Sequence, residues 1–183
     1  EKYGIEVSLQ HLEQGISHTF LPRKKAMIFA AGLGTRLKPL TDNRPKALVE
    51  IAGKPLIEHV LRKLVSAGFN DIVINVHHYA NMIEEWVMKI RESDFIKKNN
   101  VNLFLSDERT QLLETGGGIK HATSLLARCN PEQRFLVHNV DILSNVDLDH
   151  FTHNVFDIAA DALLLVSKRK TARYLVFNND MRL

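Results

Sequence analysis

An unbroken apolar run, Ala26-Met27-Ile28-Phe29-Ala30, passes straight into a loop that carries Gly32 and Gly34. A run this short, with no polar alternation and ending at glycines, reads as a buried strand. The following residues supply what could cover it. Pro55 opens a helix on which Leu56, Ile57, Val60, Leu61, Leu64 and Val65 share one face, and Gly68 ends it, in the order proline first and glycine last. Asp71 to Val76 is a second buried strand. Met82, Ile83, Trp86, Val87 and Ile90 form the apolar face of a second helix. A strand at Val101 to Leu105, a helix from Gly118 to Ala127 and a strand at Arg134 to His138 follow. Ala162 to Ser167 and Tyr174 to Phe177 read as two more strands. This alternation predicts an α/β fold of three layers, Rossmann-like, with a mostly parallel central sheet flanked by helices. Ligands of such sheets bind outside the carboxyl ends of the strands.

The chain has 183 residues, 45% hydrophobic and 25% charged, with a formal net charge of +3. That length accommodates one domain with an appendage. Residues 1–25 are polar and mixed, and Pro22-Arg23-Lys24-Lys25 punctuates their end, so they are expected to form an N-terminal arm or linker. Residues 26–183 form the main domain. No basic stripe with interleaved aromatics marks a nucleic-acid surface. No run reaches the roughly 18 apolar residues of a membrane span; the longest apolar stretch, Ala159 to Val166, contains Asp161. The start carries no secretory signal pattern. The single cysteine, Cys129, excludes an intramolecular disulfide and suits a reducing compartment. The expected location is cytoplasmic, and the oligomeric state is not legible.

The loop after the first strand runs from Ala30 to Lys46. Gly32 and Gly34 let the backbone turn tightly and approach a ligand without side-chain interference. Successive backbone N–H groups can then point at phosphate oxygens. Arg36 and Lys46 add positive charge, Arg as a fork and Lys as a point charge. The loop lacks the G-x-x-x-x-G-K-[ST] pattern of a P-loop. It also fails the dinucleotide fingerprint, because Leu37 stands where the third glycine belongs.

The string Gly32, Gly34, Thr35, Arg36, Pro39, Thr41, Pro45 and Lys46, continuing through Ala47 to Ile57, resembles the signature of the sugar-phosphate nucleotidylyltransferases. The resemblance covers roughly residues 26–177. It implies the nucleotidyltransferase version of the three-layer fold, with Ala31, Gly32, Gly34 and Thr35 wrapping the triphosphate, Arg36 assisting departure of pyrophosphate and Lys46 contacting phosphate. A second glycine cluster, Glu114-Thr115-Gly116-Gly117-Gly118-Ile119, reads on its own as a tight turn before a helix N-terminus. The resemblance sets Gly116 and Gly117 against the nucleotide base. Its exact form is most similar to the N-acetylmuramate 1-phosphate uridylyltransferase branch, shared in large part with heptose- and mannose-1-phosphate guanylyltransferases.

Phe135 to Asp141 reads as a strand delivering an Asp to its carboxyl end. Mg²⁺ takes one or two carboxylates together with phosphate oxygens and water, and Asp141 is expected to hold it. The family shows Asn-Gly-Asp here, with the Asn near the sugar. This chain has Asn139-Val140-Asp141, so Asn139 is assigned to the sugar and Val140 raises a question of backbone geometry. His77 and His78 end the second strand and are read as loop histidines. Trp86 and Cys129 are read as packed core, and Lys168 and Arg173 either as solvated strand ends or as contacts to a substrate phosphate.

The expected reaction is in-line displacement at the α-phosphorus of a nucleoside triphosphate, UTP or GTP favoured, by a sugar 1-phosphate. Arg36, Lys46 and Asp141 are the catalytic residues. Relatives of this kind continue beyond Leu183, so the domain is expected to be C-terminally incomplete. Two alternatives stand beside this reading. One is a catalytically silent module that binds nucleotide sugars. The other is a cytidylyltransferase acting on a non-sugar alcohol phosphate.

Overall fold

The computed structural model describes residues 23–127, 134–153, 160–167, 170 and 175–182. By packing the chain separates into two compact units, Glu1–Asp149 and His150–Leu183. This boundary falls within the 26–183 segment read as one domain.

The first unit is built on a four-stranded sheet of β1 (Lys24–Phe29), β4 (Phe69–Val76), β5 (Asn102–Asp107) and β6 (Phe135–Asn139), in the order β5-β4-β1-β6. Every pairing in it is parallel. A hairpin of β2 (Glu50–Ile51) and β3 (Lys54–Pro55) stands apart from it. Its two turn residues, Ala52 and Gly53, both have positive φ, as a tight hairpin whose twist matches its strands requires.

Helices α1 (Leu56–Ser66), α2 (Ala80–Arg91), α3 (Asp94–Lys98), α4 (Glu114–His121), α5 (Thr123–Leu126) and α6 (Leu148–His153) complete the described elements. The sheet register sorts them into two layers. Ala26 and Ile28 of β1 and Ile72, Ile74 and Val76 of β4 pack with α1, α2 and α3 through Ile57, Leu61, Leu64, Ile83, Val87 and Ile96. Met27 and Val73, on the opposite face, pack with Ala122 and Leu126, and Phe29, Phe104 and Ile119 join them. A fully buried Leu or Ile contributes on the order of 1.5–3 kcal/mol, so the α1 side carries the larger share of the core. The three-layer α/β architecture expected from the sequence is the one observed.

Four details differ from the sequence reading. Phe69 and Asn70 extend β4 backward, because Phe69 is 4% exposed and pairs with Lys24. Met82 lies at the rim of α2, 37% exposed, and Ala80, Ile83 and Val87 carry its buried face, with Trp86 and Ile90 packed against the core. The glycine cluster forms the first turns of α4 itself rather than a turn before a helix. Residues 162–167 join no sheet, and 175–177 do not either. Leu163, Leu164, Leu165 and Val166 are each more than 40% exposed. Apolar composition makes a strand only where a neighbouring edge accepts its hydrogen bonds. Residues 1–22, Cys129, Lys168, Arg173 and Tyr174 lie outside the described residues. Among the described residues no helix is long and apolar enough to cross a membrane.

Candidate functional site

β1 lies inside the sheet, between β4 and β6, and the loop at its carboxyl end folds back on itself. Ala30 and Ala31 stay buried, while Gly32 and Leu33 emerge. Gly34 has φ +67° and leads into a 3-10 turn, Thr35–Leu37. The Leu37 N–H donates to the Gly34 carbonyl at 2.9 Å, and the buried Thr41 hydroxyl donates to the same carbonyl at 2.9 Å. A Cβ at Gly34 would lie 3.0 Å from Thr41 Cγ2 and 3.2 Å from Lys46 Cβ. Glycine is therefore required there twice, by the left-handed backbone and by the packing above it. Farther along, the Tyr79 hydroxyl donates to the Asp42 carbonyl at 2.7 Å and fastens the loop to the segment after β4.

A second 3-10 turn, Lys46–Leu48, is anchored by the fully buried Ala47. It aims Lys46 back across the loop. Lys46 Nζ lies 2.9 Å from Asp141 Oδ2 and 3.7 Å from where a Gly32 Cβ would stand. Three of the residues singled out in the sequence, Gly32, Lys46 and Asp141, are thus neighbours at the carboxyl ends of adjacent strands β1 and β6. The ammonium is 16% exposed and the carboxylate 35%, so the pair is reachable by a ligand. Arg36 and Thr35 are exposed on the first 3-10 turn. The Arg36 guanidinium has no hydrogen-bond or ion-pair partner among the described residues. Asn139, the last residue of β6, is exposed.

Val140 resolves the question raised by its replacing a glycine. It is 0% exposed within the α1-side core. It is not among the residues with positive φ, and its N–H donates to the Phe29 carbonyl at 3.2 Å. Val140 and Asp141 are the central residues of a turn closed by the Ile142 N–H donating to the Asn139 carbonyl at 3.3 Å, and with no positive φ there a β-branched residue fits.

Asp141 was assigned to a divalent cation, and its donor chemistry fits. One carboxylate oxygen faces Lys46 beside the glycine-bearing loop, and Mg²⁺ needs no more than one or two protein carboxylates when phosphate and water complete its shell. Among the described residues no group of three or more His, Cys, Asp and Glu side chains gathers into a self-sufficient metal site.

Periodicity missed two residues at the same end of the sheet. Asn75 is 2% exposed near the end of β4, and Glu108 is 1% exposed just after β5. Asn75 Oδ1 accepts the Ala30 and Ala31 N–H groups at 2.7 and 3.2 Å, and its Nδ2 donates to Glu108 Oε1 at 2.8 Å. The Ala31 amide, assigned to nucleotide, thus also has a partner within the protein. The signal was an amide inside an otherwise apolar strand and an acid where a core ends. Buried polar groups persist only when their hydrogen bonds are satisfied. His77 donates through Nδ1 to the Glu108 carbonyl at 2.7 Å, and His78 stacks at an angle on Tyr79.

In α4, Gly116 has open space around it, whereas a Cβ at Gly117 would come within 2.9 Å of Leu113 Cβ. A Cβ at Gly118 would lie 2.8 Å from Glu108 Oε1. The glycine-rich start of α4 therefore lies directly over the Asn75–Glu108 pair.

A parallel sheet covered on both faces, with a glycine-bearing loop after an interior strand and a Lys–Asp pair at the carboxyl edge, is the arrangement of an α/β domain whose ligand site lies at the strand ends. The chain belongs to the nucleotidyl transferase family, whose profile matches residues 25–176. It is 51% identical over 118 residues to an N-acetylmuramate alpha-1-phosphate uridylyltransferase of Caulobacter vibrioides, covering 64% of this chain and 46% of that protein. It is 39% identical over 119 residues to a mannose-1-phosphate guanyltransferase of Gibberella zeae, covering 65% of this chain and 30% of that one. Among solved structures, HddC from Yersinia pseudotuberculosis complexed with GMP-PN superposes with a TM-score of 0.59 at 29% identity, over 73% of this chain and 55% of that one. The chain spans less than half the length of these curated relatives.

Proposed function

We propose that the chain is the nucleotide-binding portion of an enzyme that transfers a nucleoside monophosphate from a nucleoside triphosphate to a sugar 1-phosphate. The observation that carries this reading is the Lys46–Asp141 pair set over Gly32. It puts a cation and a carboxylate where the loop would present a triphosphate. UTP or GTP is favoured, since relatives are named for uridylyl and guanylyl transfer. A cytoplasmic setting, where such triphosphates are supplied, belongs to the same proposal.

A phosphate oxygen of the sugar 1-phosphate forms the new bond to the α-phosphorus, and the bond to the bridging oxygen breaks as pyrophosphate leaves in line. This chemistry depends on positioning and charge neutralisation more than on a protein nucleophile. The backbone from Gly32 to Thr35 and the exposed Arg36 would take up charge on the departing pyrophosphate. Lys46 would hold a phosphate oxygen. Gly116 and Gly117 would lie along the base, and Asn139 would reach the sugar. Asp141 would hold Mg²⁺, which when bound supplies neutralisation of phosphate charge.

The test is release of pyrophosphate from UTP, GTP, CTP and ATP, each offered with sugar 1-phosphates and with phosphocholine. Arg36→Ala and Lys46→Ala are expected to keep the wild-type circular dichroism spectrum and to lose about 10²–10³-fold in rate. Near wild-type rates in both variants would refute the assignment. Turnover of phosphocholine alone would select the non-sugar alternative, and nucleotide binding without turnover by the protein extended to its relatives' length would select the silent module.

A further inference from the structure

We propose that Asn75 and Glu108 are positioning residues that hold the phosphate loop and the glycine-rich helix α4 in register, so that the two segments grip the two ends of one nucleoside triphosphate. The inference rests on the nucleotidyl-transfer reading above and names the part that joins its two half-sites.

The chain of contacts is continuous. Ala30 and Ala31 begin the phosphate loop, and both donate to Asn75 Oδ1. Asn75 Nδ2 donates to Glu108 Oε1. Glu108 Oε2 accepts the N–H of Leu113 at 3.3 Å, and Leu113 is the residue from which α4 starts. Glu108 is itself fixed to the end of β4, because its N–H donates to the Val76 carbonyl at 2.8 Å. The absence of a side chain at Gly118 lets α4 settle onto Glu108 Oε1, Asn75 Nδ2 and the Phe29 ring. One amide and one carboxylate therefore connect both glycine-rich segments.

The polarity of this chain of bonds is forced. Two backbone N–H groups require an acceptor, so Asn75 must turn its oxygen to them and its NH₂ to Glu108. The Leu113 N–H is also a donor. Both oxygens of residue 108 must then accept, which a carboxylate does and a carboxamide does not. Among the described residues no Lys, Arg or His forms an ion pair with Glu108. Burying a carboxylate without a cation is costly, and well-packed apolar residues commonly serve stability as well or better. What apolar residues do not supply is a fixed relative placement of two backbone segments. Two weak subsites held at the right spacing act as one strong site, because the second contact becomes intramolecular.

The polarity argument supplies its own rescue. Glu108→Gln turns a donor on a donor, and Asn75→Asp sets two carboxylates against each other. Together, Asn75→Asp with Glu108→Gln restores every bond, with only the one between residues 75 and 108 reversed in direction. The residue at 75 still accepts from Ala30 and Ala31, the amide at 108 donates to it, and its oxygen accepts from Leu113. Gly118→Ala is an independent variant that keeps all donors and acceptors and forces only the helix away.

The experiment is titration calorimetry of the chain with UTP, GTP and inorganic pyrophosphate at fixed Mg²⁺. The better nucleotide is expected to bind about tenfold more weakly to each single variant, in Asn75→Asp and Glu108→Gln the equivalent of one lost buried hydrogen bond. Pyrophosphate, which spans only the loop, should change by less than about twofold, and the reversed pair should return to within about threefold of wild type. Equal losses for nucleotide and pyrophosphate would mark a merely structural role and overturn the proposal. So would unchanged binding, or a reversed pair no better than the single variants. If a single variant does not fold, the reversed pair and Gly118→Ala decide. Failure of the wild-type chain to bind either nucleotide would refute the transferase reading and this inference with it, whereas wild-type binding with indifferent variants would overturn this inference alone.

Discussion

Gly34 and Gly53 offer a controlled test of the loop's geometry. Both have positive φ, +67° and +76°. Only Gly34 is enclosed, with Thr41 Cγ2 and Lys46 Cβ within 3.0 and 3.2 Å of an added Cβ, whereas nothing lies within 4 Å at Gly53. Placing Ala in the left-handed region costs about 1–2 kcal/mol, and the stiffer unfolded chain returns about 0.4–1 kcal/mol. Gly53→Ala should therefore destabilise by about 1 kcal/mol. Gly34→Ala carries the same backbone cost plus overpacking of about 1–3 kcal/mol, giving about 2–4 kcal/mol. With a urea slope of about 2 kcal/mol per molar, the midpoint should fall by about 0.5 M for Gly53→Ala and about 1–2 M for Gly34→Ala. If the loop detaches instead of straining the fold, the midpoint falls less and the Asp42 and Leu48 amides, which donate to the Pro39 and Pro45 carbonyls, lose hydrogen-exchange protection. A Gly34→Ala variant no less stable than Gly53→Ala, with those amides still protected, would refute the close packing of Thr41 and Lys46 over the loop.

The core and the titrating groups supply two further expectations. Burial, with a smaller contribution from the Lys63 charge, holds the His138 imidazole below its ordinary value of 6.5. The folded chain then prefers the neutral ring, so this share of stability is complete above about pH 6.5 and is lost as pH falls below it; urea midpoints from pH 8 to 5 should show the decline, and His138→Gln should flatten it. Val140→Gly removes a fully buried side chain and adds backbone freedom, which together should cost about 2–4 kcal/mol; a variant as stable as wild type in urea would show that Val140 is not core.

The sequence disclosed the sheet where local pattern and burial coincide. Ala26 to Phe29 and Ile72 to Val76 are apolar because both faces of the sheet are covered, and Pro55 and Gly68 bracket α1 for reasons local to the backbone. Asp141 and Lys46 were legible as members of a signature, but their contact is a product of β6 lying beside β1, which no spacing encodes. Asn75 and Glu108 escaped because periodicity counts apolar positions and treats a polar residue in a buried strand as noise. The start of α4 escaped for a different reason. Three consecutive glycines are poor helix formers, yet Gly118 is helical because the helix is seated on Glu108. The apolar stretch from Leu163 to Val166 misled in the opposite sense, since strand formation depends on a partner edge that composition does not specify.

The glycines also divide by what they serve. Gly34 is needed by its backbone and by Thr41 and Lys46, and Gly118 by Glu108 and Asn75, so both are explained by the protein's own packing. Gly32 and Gly116 are not. A side chain at Gly32 would meet Lys46 at ordinary contact distance, and one at Gly116 would meet nothing. Both positions are exposed, and neither has a left-handed φ. Within the folded chain alone, an alanine would fit at either place. The two glycines that the fold does not require lie one on the loop after β1, beside Lys46, and one on the first turn of α4. Those are the two segments that Asn75 and Glu108 join, and the proposed nucleotide, approaching both backbones at once, would account for a glycine at each.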